Sequence, residues 1–200
     1  MTREMLFALA LGYLFGSIPF GLVLTRLAGK GDVREIGSHS IGATNVLRTG
    51  SKLLAALTLV LDCLKATAAI LISQRLFGDF TGTYAATGAL LGHLYPVWLG
   101  FRGGKGVATL LGILLGLQLW PAAAIYAAVW IFLLVTLRIS SLAGMTAAVS
   151  APIVAYGLHS SYVPLLLGFA LLVLWKHHEN ILRLTKGTEP RIGSKTSSTV

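Results

Sequence analysis

The chain has 200 residues, 55% hydrophobic and only 12% charged, and its mean hydropathy of +0.78 excludes an ordinary water-soluble domain of this size. Sixteen basic residues against 7 acidic ones give a net charge of +9. Because the bases sit between apolar stretches, lipid headgroups and small phosphorylated anions fit them better than nucleic acid does.

Met5–Thr25 is the first stretch able to span a bilayer, which takes ~20 mainly apolar residues. It follows Met1-Thr2-Arg3-Glu4 with no small-residue cleavage site, so it reads as a retained helix and not a signal peptide. The loop Gly37–Gly50 (GSHSIGATNVLRTG) comes next. Its small residues let backbone N–H groups approach an anion, and Ser38, Thr44 and Asn45 offer two hydroxyls and an amide. Arg48 adds a guanidinium fork for phosphate oxygens. The plain alternative is a solvated loop whose polar residues only cap a helix over Asn45–Ser73. Leu53–Ser73 is the second span and carries the one cysteine, Cys63, which has no disulfide partner and no metal-ligand neighbours. Asp62 and Lys65 interrupt this span. A lone charge at mid-bilayer costs roughly 2.5–3.5 kcal/mol, so these two, three apart on one helix face, are expected to pair toward the bundle interior.

Tyr84–Phe101 is the third span. Within it His93, shortly before Pro96, reads as a buried hydrogen-bonded histidine at a kink. FRGGKGVAT, Phe101–Thr109, then puts Gly103, Gly104, Lys105 and Gly106 directly before an apolar helix. A glycine turn at a helix N-terminus is a ready anion site, because N–H groups and the positive dipole end point outward. It lacks the spacing of a Walker loop, and the alternative is a flexible basic connector. Val107–Leu137 is too long for one upright span and short for two, with Pro121 near its middle. The distribution of basic residues decides between them. Read as two helices, it gives seven spans with every Lys and Arg on one side except Arg3, Arg75 and the intramembrane Lys65.

The expected fold is therefore an all-α polytopic membrane protein of seven transmembrane helices, two of them short. Its N-terminus lies outside, its C-terminus in the cytoplasm. The last spans are Met145–Leu158, extended back to Leu142, and Tyr162–Trp175. Ser140-Ser141 stands beside Arg138 at a cytoplasmic junction. In WKHHENILRL, Trp175–Leu184, His177 and Asn180 share one helix face; an interfacial helix end with snorkelling bases is the alternative. Residues 1–186 read as a single membrane domain and Gly187–Val200 as a loose polar tail. The 23 glycines read mostly as points of close helix packing.

Several catalytic signatures are missing. No HxxxxD occurs, since the fifth residue after His93 is Trp98, after His177 Leu182 and after His178 Arg183. There is no GxSxG elbow, no HExxH and no Cys/His zinc cluster. A site rich in phosphate ligands and poor in nucleophiles suits a substrate that is already activated.

Taken together and in order, these motifs resemble the PlsY family of bacterial acyl-phosphate:glycerol-3-phosphate acyltransferases. The resemblance runs from Gly16 to about Arg191. It rests on GSIPFG (Gly16–Gly21), GSHSIGATNVLR (Gly37–Arg48), LDCLK (Leu61–Lys65), GHLYPVWLGFRGGKGVAT (Gly92–Thr109), SSL (Ser140–Leu142) and HHENILRL (His177–Leu184). The family's first loop usually reads GSGNxGATN, where this chain has His39 and Ser40. Its DxxKG signature ends here in Ala66, and FKGGKG appears as FRGGKG.

The resemblance implies a seven-helix fold in the bacterial inner membrane with its site facing the cytoplasm. The implied reaction moves an acyl group from acyl-phosphate, not acyl-CoA or acyl carrier protein, to the 1-hydroxyl of glycerol 3-phosphate. In that scheme Arg48, Lys105 and the Gly103–Gly104 backbone bind phosphate. Ser38, Thr44, Asn45, Ser141, His177 and Asn180 orient the two substrates. A substrate phosphate takes the hydroxyl proton, and an apolar groove between helices holds the acyl chain. No cofactor, metal, nucleic acid or obligate protein partner is called for. The rival readings are a small transporter of phosphorylated solutes and a structural subunit of a membrane complex. A transporter predicts midplane polar groups and an internal repeat, of which only Asp62, Lys65 and His93 fit. A structural subunit leaves three phosphate-like segments on one face unexplained.

Overall fold

The structure is a computed structural model that describes residues 1–193. Among the described residues it is all-helical, with no strand. The helices are α1 (Arg3–Gly16), α2 (Phe20–Leu27), α3 (Ala43–Leu47), α4 (Lys52–Phe77), α5 (Gly82–Leu94), α6 (Val107–Gly116), α7 (Trp120–Leu137), α8 (Ser140–Gly157), α9 (Val163–Lys176) and α10 (His178–Thr185). Short 3-10 turns cover Val33–Glu35, Asp79–Thr81 and Val97–Leu99. The chain forms two compact units, Met1–Ala123 and Ala124 onward, and the division falls inside α7.

Prolines and glycines cut the apolar stretches into shorter helices than hydropathy alone gives. Pro19 has no N–H and drives Ile18 out of the helical region, so Met5–Thr25 becomes α1 and α2. The carbonyls freed at this break are taken up at once: Ser17 O accepts from Trp98 Nε1 at 2.7 Å and Ile18 O from Lys65 Nζ at 2.8 Å. Pro96 likewise ends α5 at Leu94, well short of Phe101, by holding Tyr95 at φ −138°. The expected helix Asn45–Ser73 is two, α3 and α4, broken around Gly50 at φ +86°. Val107–Leu137 is also two helices, α6 and α7. The break falls at Leu117–Leu119, where Gln118 takes φ +57°, and Pro121 sits in the first turn of α7, where a missing N–H does no harm. At 1.5 Å per residue the 10 residues of α6 reach about 15 Å, half of a hydrocarbon core of about 30 Å. Arg3–Leu27, which is α1 and α2 taken together across Pro19, and the single helices Lys52–Phe77 and Trp120–Leu137 are long and apolar enough to cross a membrane.

In the first unit, small residues let the helices touch backbone to backbone. Gly12 and Gly16 of α1 face the Ala85 and Ala89 backbones of α5, and Gly88 and Gly92 of α5 face Leu9, Tyr13 and Ser17. Two reciprocal GxxxG pairs thus mesh, the arrangement that drives packing where lipid removes the hydrophobic incentive. Gly112 and Gly116 of α6 meet α4 at Cys63, Thr67 and Ile70 in the same way, and Thr67 Oγ1 donates to Gly112 O at 2.8 Å. In the second unit α8 buries a seam of alanines, including Ala143, Ala147, Ala151 and Ala155, while α9 buries Leu166, Phe169, Ala170 and Val173.

Candidate active site

The first polar loop is organised from within by Asn45. Its Nδ2 donates to the carbonyls of Val33 at 2.7 Å, Ser40 at 2.8 Å and Ile36 at 3.1 Å, while Oδ1 accepts from the Ser38 N–H at 3.0 Å. The residue is buried, so from α3 its amide gives partners to inward backbone groups of the 3-10 turn Val33–Glu35 and of the irregular stretch that follows it. Gly37 adopts φ +56°, and a Cβ there would meet the Arg48 guanidinium and the Asn45 amide. Arg48 therefore lies across Gly37, beside the half-buried Ser38, with its side chain exposed. Thr44 is half-buried in the first turn of α3. Ser40 is turned inward, its hydroxyl accepting from Gly42 N–H at 3.3 Å. An apolar floor of Leu22, Val33, Ile41, Val46 and Ala55, with Leu99 against it, carries the loop.

One edge of this loop is fixed by charge. Asp32 pairs with Arg34 at 2.6 Å and Arg26 at 2.8 Å. Hydrogen bonding from the Arg34 guanidinium holds the Asp32 carboxyl far below the usual range. Asp32, Arg34, Glu35 and His39 line a groove together with Arg102, so the first loop and the segment entering the glycine loop share one face of the first unit.

The glycine loop is laid on the end of α5. Gly104 N–H donates to His93 O at 3.0 Å and Gly103 N–H to Leu94 O at 3.3 Å. Gly106, at φ +86°, caps α6 from the left-handed region, which favours glycine. Lys105 is half-buried between Gly104 and Gly106, which are both buried. Below the loop Asp62 and Lys65 pair at 2.7 Å, as their spacing predicts, and Lys65 Nζ reaches His93 Nδ1 at 3.0 Å. One residue inside the motif had no assigned role. The Thr109 hydroxyl, one turn into α6, is fully buried with no hydrogen-bond partner among the described residues.

The second unit brings Ser141 and Asn180 to one carboxylate. Glu189 Oε1 accepts from Ser141 Oγ at 2.7 Å and Asn180 Nδ2 at 2.6 Å, and Oε2 from Arg183 Nε at 2.7 Å. Burial pushes the Glu189 carboxyl up, but the three donors outweigh it and hold it below its ordinary value. By sequence Glu189 is only one residue of the polar stretch 187–200 expected to be a loose tail, of which 194–200 lie outside the described residues. A lone acidic residue in a Gly/Pro/Ser-rich segment gives no sign of a partner 48 residues away. His177 is buried at the α9–α10 junction, and its Nδ1 donates to Val173 O at 2.8 Å. A carbonyl only accepts, so the ring carries its proton on Nδ1. Ser38, Thr44, Asn45, Arg48, Gly103, Gly104 and Lys105 thus belong to the first unit, and Ser141, His177 and Asn180 to the second.

Residues 6–187 match the model of a family described as glycerol-3-phosphate acyltransferase. The chain belongs to that family, in its PlsY branch. It is 56% identical to the glycerol-3-phosphate acyltransferase of Mesorhizobium japonicum, over 98% of this chain and 100% of that protein. It is also 56% identical to the protein so described from Rhodopseudomonas palustris (strain BisB5), over 94% of this chain and 96% of the other. Crystal structures of PlsY, described as an integral membrane glycerol 3-phosphate acyltransferase, superpose with TM-scores of 0.87 in the glycerol 3-phosphate form and 0.85 in the lysophosphatidic acid form. Each is 37% identical to this chain and covers 94% of it; coverage of the solved chains is 96% and 95%.

Proposed function

We propose that the protein is a membrane acyltransferase that moves an acyl group from an acyl-phosphate to the 1-hydroxyl of glycerol 3-phosphate. The products are lysophosphatidic acid and inorganic phosphate. The observation that carries this reading is the family match over nearly the whole chain, including the segments that build both polar loops of the first unit. In this reading the seven helices α1 and α4–α9 are the spans. The N-terminus is outside, the C-terminus cytoplasmic, and the site faces the cytoplasm of a bacterial inner membrane.

Arg48, Lys105 and the Gly103–Gly104 backbone bind substrate phosphate. Ser38, Thr44, Ser141, His177 and Asn180 orient the substrates, and Asn45 does so through the loop it holds. The glycerol 1-hydroxyl oxygen attacks the acyl carbonyl, the bond from the carbonyl carbon to the phosphate oxygen breaks, and the hydroxyl proton leaves on a substrate phosphate. A mixed anhydride already has a good leaving group, so positioning and fixed positive charge supply the acceleration without a covalent acyl-enzyme. No metal or cofactor is required.

Purified protein in lipid vesicles, given acyl-phosphate and glycerol 3-phosphate, should release one phosphate per lysophosphatidic acid formed. Acyl-CoA and acyl carrier protein thioesters should not substitute. Turnover with acyl-CoA at the acyl-phosphate rate would sink the donor assignment, and absence of turnover with any donor would sink the reading as a whole.

A further inference from the structure

The buried polar cluster beneath the glycine loop explains why position 104 is a glycine. Gly104 is not among the residues with positive φ, so its backbone would accept an ordinary side chain. What excludes one is His93: the three atoms nearest to an added Cβ are all imidazole atoms, Nε2 the closest. The ring is in turn held from behind. Lys65 Nζ lies 2.7 Å from Asp62 Oδ1, 3.0 Å from His93 Nδ1 and 2.8 Å from Ile18 O. A lysine ammonium has three hydrogens and no lone pair. With the Lys65 ammonium of the ion pair at 3.0 Å, Nδ1 accepts, and the imidazole proton stands on Nε2, the atom that faces Gly104. Asp62, Lys65 and His93 are 2%, 4% and 3% exposed. Replacing a buried ion pair by apolar side chains of similar volume is often neutral or stabilising, and the bond to Ile18 O gives Lys65 a structural use but none to His93 under the loop.

We propose that Asp62, Lys65 and His93 are positioning residues for the glycine loop. The α4 ion pair fixes the imidazole, and the imidazole fixes the Gly104–Lys105 backbone in the shape that receives a substrate phosphate. This rests on the reading of the loop as a phosphate clamp. None of the three side chains touches substrate in it; they act through the loop, where a displacement of 1 Å is enough to cost about 100-fold in rate.

The test uses the full chain in lipid, with kcat and KM measured for both substrates and unfolding followed in parallel. Lys105→Ala identifies which substrate the loop holds. Gly104→Ala and His93→Asn should each raise that same KM by ~10-fold or more and leave the other within about 3-fold. In the His93→Asn background Gly104→Ala should add less than about 3-fold, because the ring that the methyl would strike is gone. Asp62→Leu with Lys65→Met replaces the ion pair by apolar volume. It takes the lysine donor from His93 Nδ1 and Ile18 O, so the apparent Tm should fall, while in folded protein the same KM rises and the other stays within about 3-fold, a split that a merely structural pair does not give. Wild-type kinetics in that variant, or an equal effect of Gly104→Ala with and without His93, would overturn the proposal. If Lys105→Ala acts but the other variants do not, the clamp stands and the positioning role falls. If Lys105→Ala leaves kcat and both KM values unchanged, the clamp itself is wrong and the proposal goes with it.

Discussion

The Ser141 hydroxyl donates to the Glu189 carboxylate at 2.7 Å, tying the start of α8 to the irregular stretch that follows α10. Asn180 and Arg183 complete the ring of donors, and the Glu189 side chain is 6% exposed. Glu189→Gln keeps the shape but puts an amide N–H where one donor must be accepted. Hydrogen bonds to charged groups contribute about 1.5–3 kcal/mol each, so the variant should unfold measurably earlier in detergent at neutral pH. The carboxyl is held below its ordinary value of 4.5. Its contribution is therefore complete above that value and lost as pH falls through the lower folded-state value. The Tm difference between wild type and variant should shrink on acidification below about pH 4. A difference independent of pH from 7 down to 3 would contradict the ionised ring.

Asn45 gives a prediction of the opposite character, confined to one loop. Asn45→Asp would turn a carboxylate toward the carbonyls of Val33, Ile36 and Ser40, where the amide now donates. Buried acceptors left unsatisfied cost ~1–3 kcal/mol each. The loop should open while the helices persist. The expected readings are unchanged helical circular dichroism, new protease cleavage within residues 33–48, and activity down by ~100-fold or more. Asn45→Ala should be milder, because it removes the donors without adding charge. Equal activity in Asn45→Asp and wild type would show that the loop is held by something else.

Asn45 and Glu189 also mark where the sequence stops being legible. Gly37–Gly50 is recognisable as a polar loop rich in anion-binding side chains, but nothing in its spacing says that Asn45 faces its own backbone. That depends on which carbonyls a folded loop turns inward. Asp62 and Lys65 are legible because the helix repeat alone brings positions three apart together. Glu189 is not, since its partners Ser141 and Asn180 come from other elements. Span ends misread for a similar reason: hydropathy runs on through Pro19, Tyr95 and Gln118, while the backbone at each of these positions breaks the helix. The GxxxG pairs Gly12–Gly16 and Gly88–Gly92 can be seen in the sequence, though not that they face each other.

That facing yields a packing prediction. A Cβ at Gly88 would strike the Leu9 and Tyr13 backbones, and Gly168 on α9 has nothing within 4 Å. Overpacking a tight contact costs typically 1–3 kcal/mol or more. Gly88→Leu should therefore lower apparent Tm and yield of folded protein, while Gly168→Leu changes neither. Similar Tm values for the two variants would contradict the backbone contact between α1 and α5.

Lys105 follows Gly103 and Gly104 and precedes the left-handed Gly106 that caps α6, so its charge adds to the positive end of that helix. Lys105→Ala removes the charge and leaves every glycine of the loop in place. One charge-assisted hydrogen bond is worth roughly 1.5–3 kcal/mol, and about 1.4 kcal/mol corresponds to a decade. Loss of one such bond should lower kcat/KM by ~10- to 150-fold. A larger loss would mean that Lys105 also meets charge that develops only in the transition state. Lys105→Arg keeps the charge on a bulkier, planar fork and should restore activity only in part. Cys63→Ala is the control. The thiol is half-buried on α4, and direct transfer has no thioester for it to form, so activity should hardly change. Abolished turnover in folded Cys63→Ala would replace direct transfer with a covalent route. Near-normal turnover in folded Lys105→Ala would remove the phosphate from the glycine loop.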